Sequence, residues 1–347
     1  MRAITIEPGV PDSSRLDDVP EPPLSDGAVL VRTLAMGVCG TDLELIRGEF
    51  GTAPRGSQRL ILGHESLGEV IDAPRESGLT SGQPVVGIVR HPDPVPCPSC
   101  AAGEWDMCRN GQYTEHGIKG LHGFGAEYFR VPPRFAVPVD PALGISAVLL
   151  EPASIVAKAW EHIDRFAGRT IWRPRRVLVT GAGPIGLLAA LLGVQRGYEV
   201  HVLDRVTEGP KPDLVRTLEA TYHASGLDDI GEPPDIVLEC TGSGPLILDV
   251  LHIVEPSGIV CLTGVSSGGR VLPVDLQDLN RELVLENNVV FGTVNANRRH
   301  YDAAARALGD AEPEWLEGLI TRRVPLARWS EALERRPDDV KPIITFR

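Results

Sequence analysis

The chain has few aromatic residues (5%) and little positive charge, with 34 Lys and Arg against 47 Asp and Glu and a net charge of -13. Scarce aromatics leave little on which bases can stack, and an acidic surface lacks the basic patch that a phosphate backbone needs. A nucleic-acid partner is therefore not expected. The same acidity disfavours anionic membranes and names no partner of its own. No apolar run has the length of a bilayer span. Met1–Val10 carries Glu7, Pro8 and Gly9 where a secretory leader needs an unbroken apolar stretch. These observations predict no membrane partner and a cytoplasmic location. Lysine is scarce beside arginine, and no mechanism follows from that.

What is present suits two folded domains: 347 residues, 42% hydrophobic and 23% charged. The chain to about Arg134 consists of short apolar runs broken by Gly and Pro (28–33, 68–71, 85–89), which predicts a β-rich, loop-heavy domain. Residues 91–120 lack apolar periodicity and read as a lobe that something other than a core must hold. Beyond Pro152 the character changes. A helix is expected over 154–166, followed by strands at 177–180, 200–203, 236–238 and 259–262, with a helix over 185–195. Strand–helix alternation implies a doubly wound parallel sheet. A helix over 300–308 and an apolar run at 342–346 are expected to return to the first domain. The predicted division is therefore 1–155 with 298–347 against 156–297. The chain shows neither internal repeat nor low-complexity segment.

The segment Gly181-Ala182-Gly183-Pro184-Ile185-Gly186 is a full GxGxxG between an expected strand and helix, the context that a dinucleotide-binding turn requires. Gly181 allows the tight turn, Gly183 the approach of a pyrophosphate, and Gly186 close helix packing. The anion then sits at a helix N-terminus, with Pro184 and Ile185 in its first turn. Asp204 ends the next strand at the spacing of a ribose-binding acid, which favours NAD. Arg205 beside it tolerates the extra phosphate of NADP.

The six cysteines are unevenly placed. Cys97, Cys100 and Cys108 cluster in the lobe, where a closed zinc site supplies folding energy. Such a site takes four ligands, so Asp93 is the candidate fourth, with His91 behind it. A second set is dispersed: Cys39 on a glycine-rich turn, His64 and Glu65 side by side, and Glu151 before Pro152. These are zinc ligand types, and a catalytic site uses about three with one position open. Taken singly, each has a plainer reading. Cys39 is a small buried hydrophobe, His64 a hydrogen-bonded core histidine, and Glu151 an exposed charge at a helix entry. Cys240 and Cys261 read as packing residues on or beside strands.

In combination, GVCGTD (37–42), GHExxGEV (63–70), the cysteine lobe and GAGPIG (181–186) resemble the zinc-dependent medium-chain alcohol dehydrogenases over essentially the whole chain. The stretches 105–108, 113–118, 151–152 and 294–297 are most similar to the glucose 1-dehydrogenase branch. The resemblance implies a GroES-like catalytic domain formed from both chain ends around a Rossmann domain, with the active site in the cleft between them, and a homodimer or tetramer. By position, Cys39, His64 and Glu151 match catalytic-zinc ligands, and Glu65 matches an alternating ligand or base. Thr41 matches the proton-path hydroxyl. Glu115 matches a sugar-hydroxyl binder, and Glu151 faces sugar as well. Asn295 and Asn297 match the segment lining the cofactor and substrate cleft. Two departures stand out: the family's first lobe cysteine falls near Pro94, and Ile155 occupies a place where some sugar-specific members are polar. The implied reaction is zinc-assisted transfer of hydride from an aldose anomeric carbon to NAD or NADP, giving a lactone. The alternatives are a polyol or secondary-alcohol dehydrogenase of the same family, or a nucleotide-binding redox sensor without dehydrogenase activity.

Overall fold

The computed structural model describes every residue except Ser267, Gly269, Arg270 and Arg347. The chain forms two compact units. The first comprises Met1–Ser154 and the chain from Asn295 onwards; the second is Ile155–Val294. The boundaries fall slightly earlier than the sequence suggests, so Asn295 and Asn297 belong to the first unit.

The first unit is built on the strand Val29–Gly37, whose Val29, Val31, Thr33 and Ala35 are buried in alternation. It pairs antiparallel with Glu65–Asp72, with Tyr128–Val131 and with the C-terminal strand Pro342–Thr345. The last pairing joins the two ends of the chain in one sheet. A core of Ile4, Met36, Leu45, Leu62, Val324 and Ile344 packs residues from both ends together.

The lobe at 91–120 has more structure than its sequence suggests. It holds a short helix, Pro98–Ala101, a 3-10 turn, Trp105–Met107, and a strand, Thr114–His116, that pairs with Arg90–His91. Polar contacts fasten it to the rest of the first unit. Asn297 Nδ2 donates to Asp106 Oδ1 at 2.7 Å, Arg299 donates to Glu104 at 2.6 Å, and Arg90 Nη1 donates to the Asp106 carbonyl at 3.1 Å.

The second unit is a six-stranded parallel sheet. Its spatial order is Thr221–His223, Glu199–Leu203, Arg176–Thr180, Ile236–Glu239, Ile259–Leu262, Val289–Gly292. This is the doubly wound order with a switch point beside the first strand, and ligands of such sheets bind at the carboxyl ends. The two edge strands escaped sequence reading: one is only three residues long with little apolar signal, and the other, Val289–Gly292, is only four residues long and only partly buried. The helix Pro184–Gln195 is buried over Gly186–Gly193, which is why its sequence is apolar all round.

One expectation needs correction. The segment Pro141–Ala167, 27 residues of 3-10 turn running into the helix Leu150–Ala167, is long and apolar enough to cross a membrane by length and composition. The sequence reading began the helix at 154 and missed the apolar turns before it. Its apolar window is 72% buried inside the protein, so that surface is spent on the core.

At Gly186 an added Cβ would stand 1.7 Å from the Gly181 carbonyl oxygen, whereas at Gly183 it would meet nothing within 4 Å. Gly186→Ala is expected to cost about 2 kcal/mol or more by overpacking, read as a lowered thermal midpoint. Gly183→Ala is expected to stay within about 0.5 kcal/mol of the parent. Equal midpoints for the two variants would refute the close helix–strand contact.

Candidate active site

The strand Val29–Gly37 ends one residue before Val38, and Cys39 then caps the helix Gly40–Ile46. The Thr41 backbone N–H donates to Cys39 Sγ at 3.3 Å, and the Cys39 N–H donates to Asp42 Oδ2 at 2.9 Å. The thiol is thus held on a rigid turn. Gly37 faces Glu65 across the ladder. A Cβ at Gly37 would sit 2.0 Å from Glu65 Oε2, so the glycine makes the room that the carboxylate occupies.

These elements bring Cys39, His64 and Glu65 together, with one ligand atom from each within 4.8 Å of the others. Cys39 Sγ lies 3.2 Å from His64 Nε2. On the far side of the ring, His64 Nδ1 is 3.4 Å from Asp42 Oδ1, but the two are not aligned for a hydrogen bond and each is left without one. Burial works against a charge on His64, yet Cys39 and Asp42 outweigh it and lift the imidazole well above its usual range. Glu151 is buried and pushed up to about 7, mainly by burial and further by Glu65 and Asp42, with His64 and Lys341 opposing. It lies outside the 4.8 Å group. A thiol, an imidazole and two carboxylates form a donor set that fits a divalent zinc ion.

Lys341 is the cation of this region. It is buried, and its Nζ donates to both oxygens of Glu65 at 2.7 Å and to the Val38 carbonyl at 3.2 Å. The sequence reading missed it because a lone lysine 276 residues from its partner carries no local signal. Tyr301 was missed for the same reason. Its buried hydroxyl accepts from the Val89 N–H at 3.4 Å and bonds Ser154, whose own hydroxyl donates to the Glu151 carbonyl at 2.6 Å.

In the lobe, the sulphurs of Cys97, Cys100 and Cys108 also lie within 4.8 Å of one another. Backbone N–H groups of Arg109 and Cys100 pull the Cys97 thiol down to about 6, while burial pushes Cys100 up to about 11. Asp93 does not join this group in the structure. Its Oδ1 accepts from the Val95 N–H at 2.8 Å, whereas its buried Oδ2 has no hydrogen-bond partner. His91 is turned away, with its ring stacked on Phe135 at 3.7 Å.

In the second unit, Gly181 adopts a left-handed φ of 91° and the helix starts at Pro184 and Ile185, capped by Gly183. A Cβ at Gly183 would meet nothing within 4 Å, so the backbone there is open to an approaching group. Asp204 Oδ2 accepts from the Ala182 N–H at 2.7 Å and lies 3.6 Å from Lys211 Nζ, a cation that sequence spacing did not flag. Arg205 is exposed.

Of the substrate candidates, Glu115 is buried. Its Oε1 accepts from Arg90 Nε at 3.0 Å and Asn295 Nδ2 at 2.8 Å. Asn295 therefore acts on Glu115 in the first unit, and its backbone is left-handed at φ 63°. Asn297 is buried and occupied: its Oδ1 accepts from the Arg299 N–H at the start of the helix Arg298–Gly309, and its amide serves Asp106. In the structure it serves as a helix cap and lobe anchor.

Two family models cover nearly all of the chain. The alcohol dehydrogenase GroES-like domain matches residues 25–141, and the glucose dehydrogenase C-terminus matches residues 145–346. The chain is 42% identical to a glucose 1-dehydrogenase of Methanocella arvoryzae over 99% of both chains. It is 39% identical to one of Thermoproteus tenax, again over 99% of both. The fold superposes on glucose dehydrogenase of Haloferax mediterranei, solved with NADP, Zn and gluconolactone, with a TM-score of 0.92 and 34% identity over 100% of this chain and 99% of that one. The chain belongs to the zinc-dependent medium-chain dehydrogenases, in their glucose dehydrogenase branch.

In this dehydrogenase the Lys341–Glu65 pair is fully enclosed. Removing one partner leaves a buried charge uncompensated, so Lys341→Met is expected to cost about 3–5 kcal/mol. Adding Glu65→Gln to it should recover much of that loss in a denaturation double-mutant cycle. Additive losses would show that the pair is not coupled.

Burial pushes the His91 and His116 imidazoles down to about 2 and about 4. The unfolded chain takes up these protons near the ordinary value and the folded chain does not, so their contribution to stability is lost as pH falls below about 6.5. His116→Asn is expected to reduce the slope of unfolding free energy between pH 6 and 4 by about one proton. An unchanged slope would contradict the buried neutral state.

Proposed function

We propose that this chain oxidises an aldose, D-glucose foremost, at its anomeric carbon to the lactone, with a nicotinamide dinucleotide as acceptor. The convergence of Cys39, His64 and Glu65, with Glu151 buried and electrostatically coupled to them, carries the reading. Cys39 and His64 hold the catalytic zinc together with Glu151 or Glu65. When bound, this ion supplies Lewis acidity toward the substrate hydroxyl. Thr41, in the first turn of the helix that Cys39 caps, passes the released proton towards solvent. Lys341 holds Glu65 ready to act as base or alternate ligand. Arg90 and Asn295 fix Glu115 by one oxygen so that the carboxylate is oriented to accept strong hydrogen bonds from sugar hydroxyls.

The lobe cysteines Cys97, Cys100 and Cys108 hold a second zinc in this reading, with Asp93, whose Oδ2 lacks a protein partner, completing the set. The glycine turn holds the dinucleotide. Asp204 accepts from a ribose hydroxyl, favouring NAD, while Lys211 and Arg205 offer cations to the extra phosphate of NADP. Six free thiols suit a reducing, cytoplasmic setting. The edge strand Val289–Gly292, with exposed Val284, Leu285 and Val290 nearby, is the face on which a homo-oligomer assembles.

The decisive experiment is reduction of NAD and NADP by glucose, galactose, xylose, sorbitol and simple alcohols, with and without a chelator. Chelator-sensitive turnover led by glucose is expected. Faster turnover of polyols or secondary alcohols would overturn the sugar assignment, and no turnover in zinc-replete protein would turn the reading to a nucleotide-binding redox sensor. Lys211→Ala is expected to raise KM for NADP about tenfold and KM for NAD less. Equal changes would remove Lys211 from cofactor choice.

A further inference from the structure

Glu239, the last residue of the strand Ile236–Glu239, is completely buried, and none of the chemistry above uses it. Its carboxylate is nevertheless among the most heavily bonded side chains of the second unit. Oε1 accepts from the Thr241 N–H at 2.8 Å, from the Thr241 hydroxyl, and from the Thr180 hydroxyl at 3.3 Å. Oε2 accepts from the Gly242 N–H at 3.1 Å. Its backbone carbonyl takes the N–H groups of Thr263 at 2.8 Å and Gly264 at 3.0 Å, and the Thr263 hydroxyl at 2.9 Å.

One residue thus joins the carboxyl ends of three neighbouring parallel strands. Thr180 immediately precedes the glycine turn, Thr241–Ser243 leads into the helix Gly244–Ile253, and Thr263 and Gly264 follow the strand Ile259–Leu262. The junction is tight: a Cβ at Gly264 would stand 2.2 Å from the Gly242 nitrogen. Carboxyl strand ends at a switch point are where such sheets bind ligands. Electrostatics alone argues against a negative group there, because a dinucleotide brings a pyrophosphate of the same sign. What the carboxylate provides is acceptor capacity, two oxygens serving donors from the turn at 241–242 and from the neighbouring strand end at Thr180.

We infer that Glu239 is a positioning residue for the cofactor: its carboxylate ties the end of the strand that feeds the glycine turn to the turn at 241–243, and so sets the backbone cradle in its binding geometry before the dinucleotide arrives. The inference rests on the reading that the glycine turn holds a nicotinamide dinucleotide. Glu239→Gln keeps the shape, removes the charge and turns an amide N–H toward donors that need an acceptor. Thr241→Val keeps the charge and removes one donor.

The two explanations of the site differ in sign. Repulsion alone makes Glu239→Gln bind the dinucleotide more tightly. Positioning makes both variants bind more weakly, by about tenfold for Glu239→Gln. The test is titration calorimetry of NAD and NADP with zinc-loaded full-length wild type and each variant, beside zinc content and thermal midpoint. Weaker dinucleotide binding at unchanged zinc content is the expected result. Binding as tight as wild type or tighter in either folded variant overturns the inference, including the case in which only the midpoint falls and the role is merely structural. If Glu239→Gln does not fold, Thr241→Val decides alone. If wild type itself binds neither dinucleotide, the reading of the glycine turn fails, and with it this inference.

Discussion

The buried ion pair between Lys341 and Glu65 is the contact on which the metal site depends. Glu65 sits opposite Gly37 in the antiparallel ladder, and Lys341 immediately precedes the C-terminal strand that pairs with the same central strand. Two charges buried this deeply are tolerable only together. The pair therefore requires both chain ends to be in the sheet. It also places a fixed cation beside a carboxylate that stands within 4.8 Å of Cys39 and His64. Asp42 and Glu151 add carboxyl oxygens around the same point, and Asp42 Oδ1 is left without a hydrogen-bond partner.

The second unit solves a different problem, the presentation of backbone to an anion. Its means are local: a left-handed glycine, a glycine with open space above it, and a glycine where a methyl group has no room. Asp204 reinforces the turn by accepting from the Ala182 N–H, so the acid that follows the next strand also steadies the glycine turn. Glu239 extends the same device across three strand ends.

The lobe shows how a segment with little core is held. Asp106, Glu104 and Glu115 meet Asn297, Arg299, Arg90 and Asn295, so hydrogen bonds and ion pairs supply what apolar burial does not. Three clustered thiols and an Asp93 oxygen without a hydrogen-bond partner lie in the same lobe.

Patterns set by neighbours along the chain were legible in the sequence. The glycine turn, its flanking strand and helix, the acid at the end of the next strand, the lobe cysteines and the adjacent His64 and Glu65 all depend on local periodicity or fixed spacing. The resemblance of these motifs in order brought Cys39 and Glu151 to the same site. Only tertiary structure decided the rest. Lys341, Tyr301, Lys211 and Glu239 belong to no motif, and Lys341 meets its partner across 276 residues. Asn297 caps a helix and holds Asp106, because what a side chain bonds is set by whatever packing brings beside it. Sequence thus determined which chemistry the chain carries, through short-range backbone geometry. Folding determined which charges that chemistry is balanced against, because burial and long-range pairing fix the partners of each ionisable group.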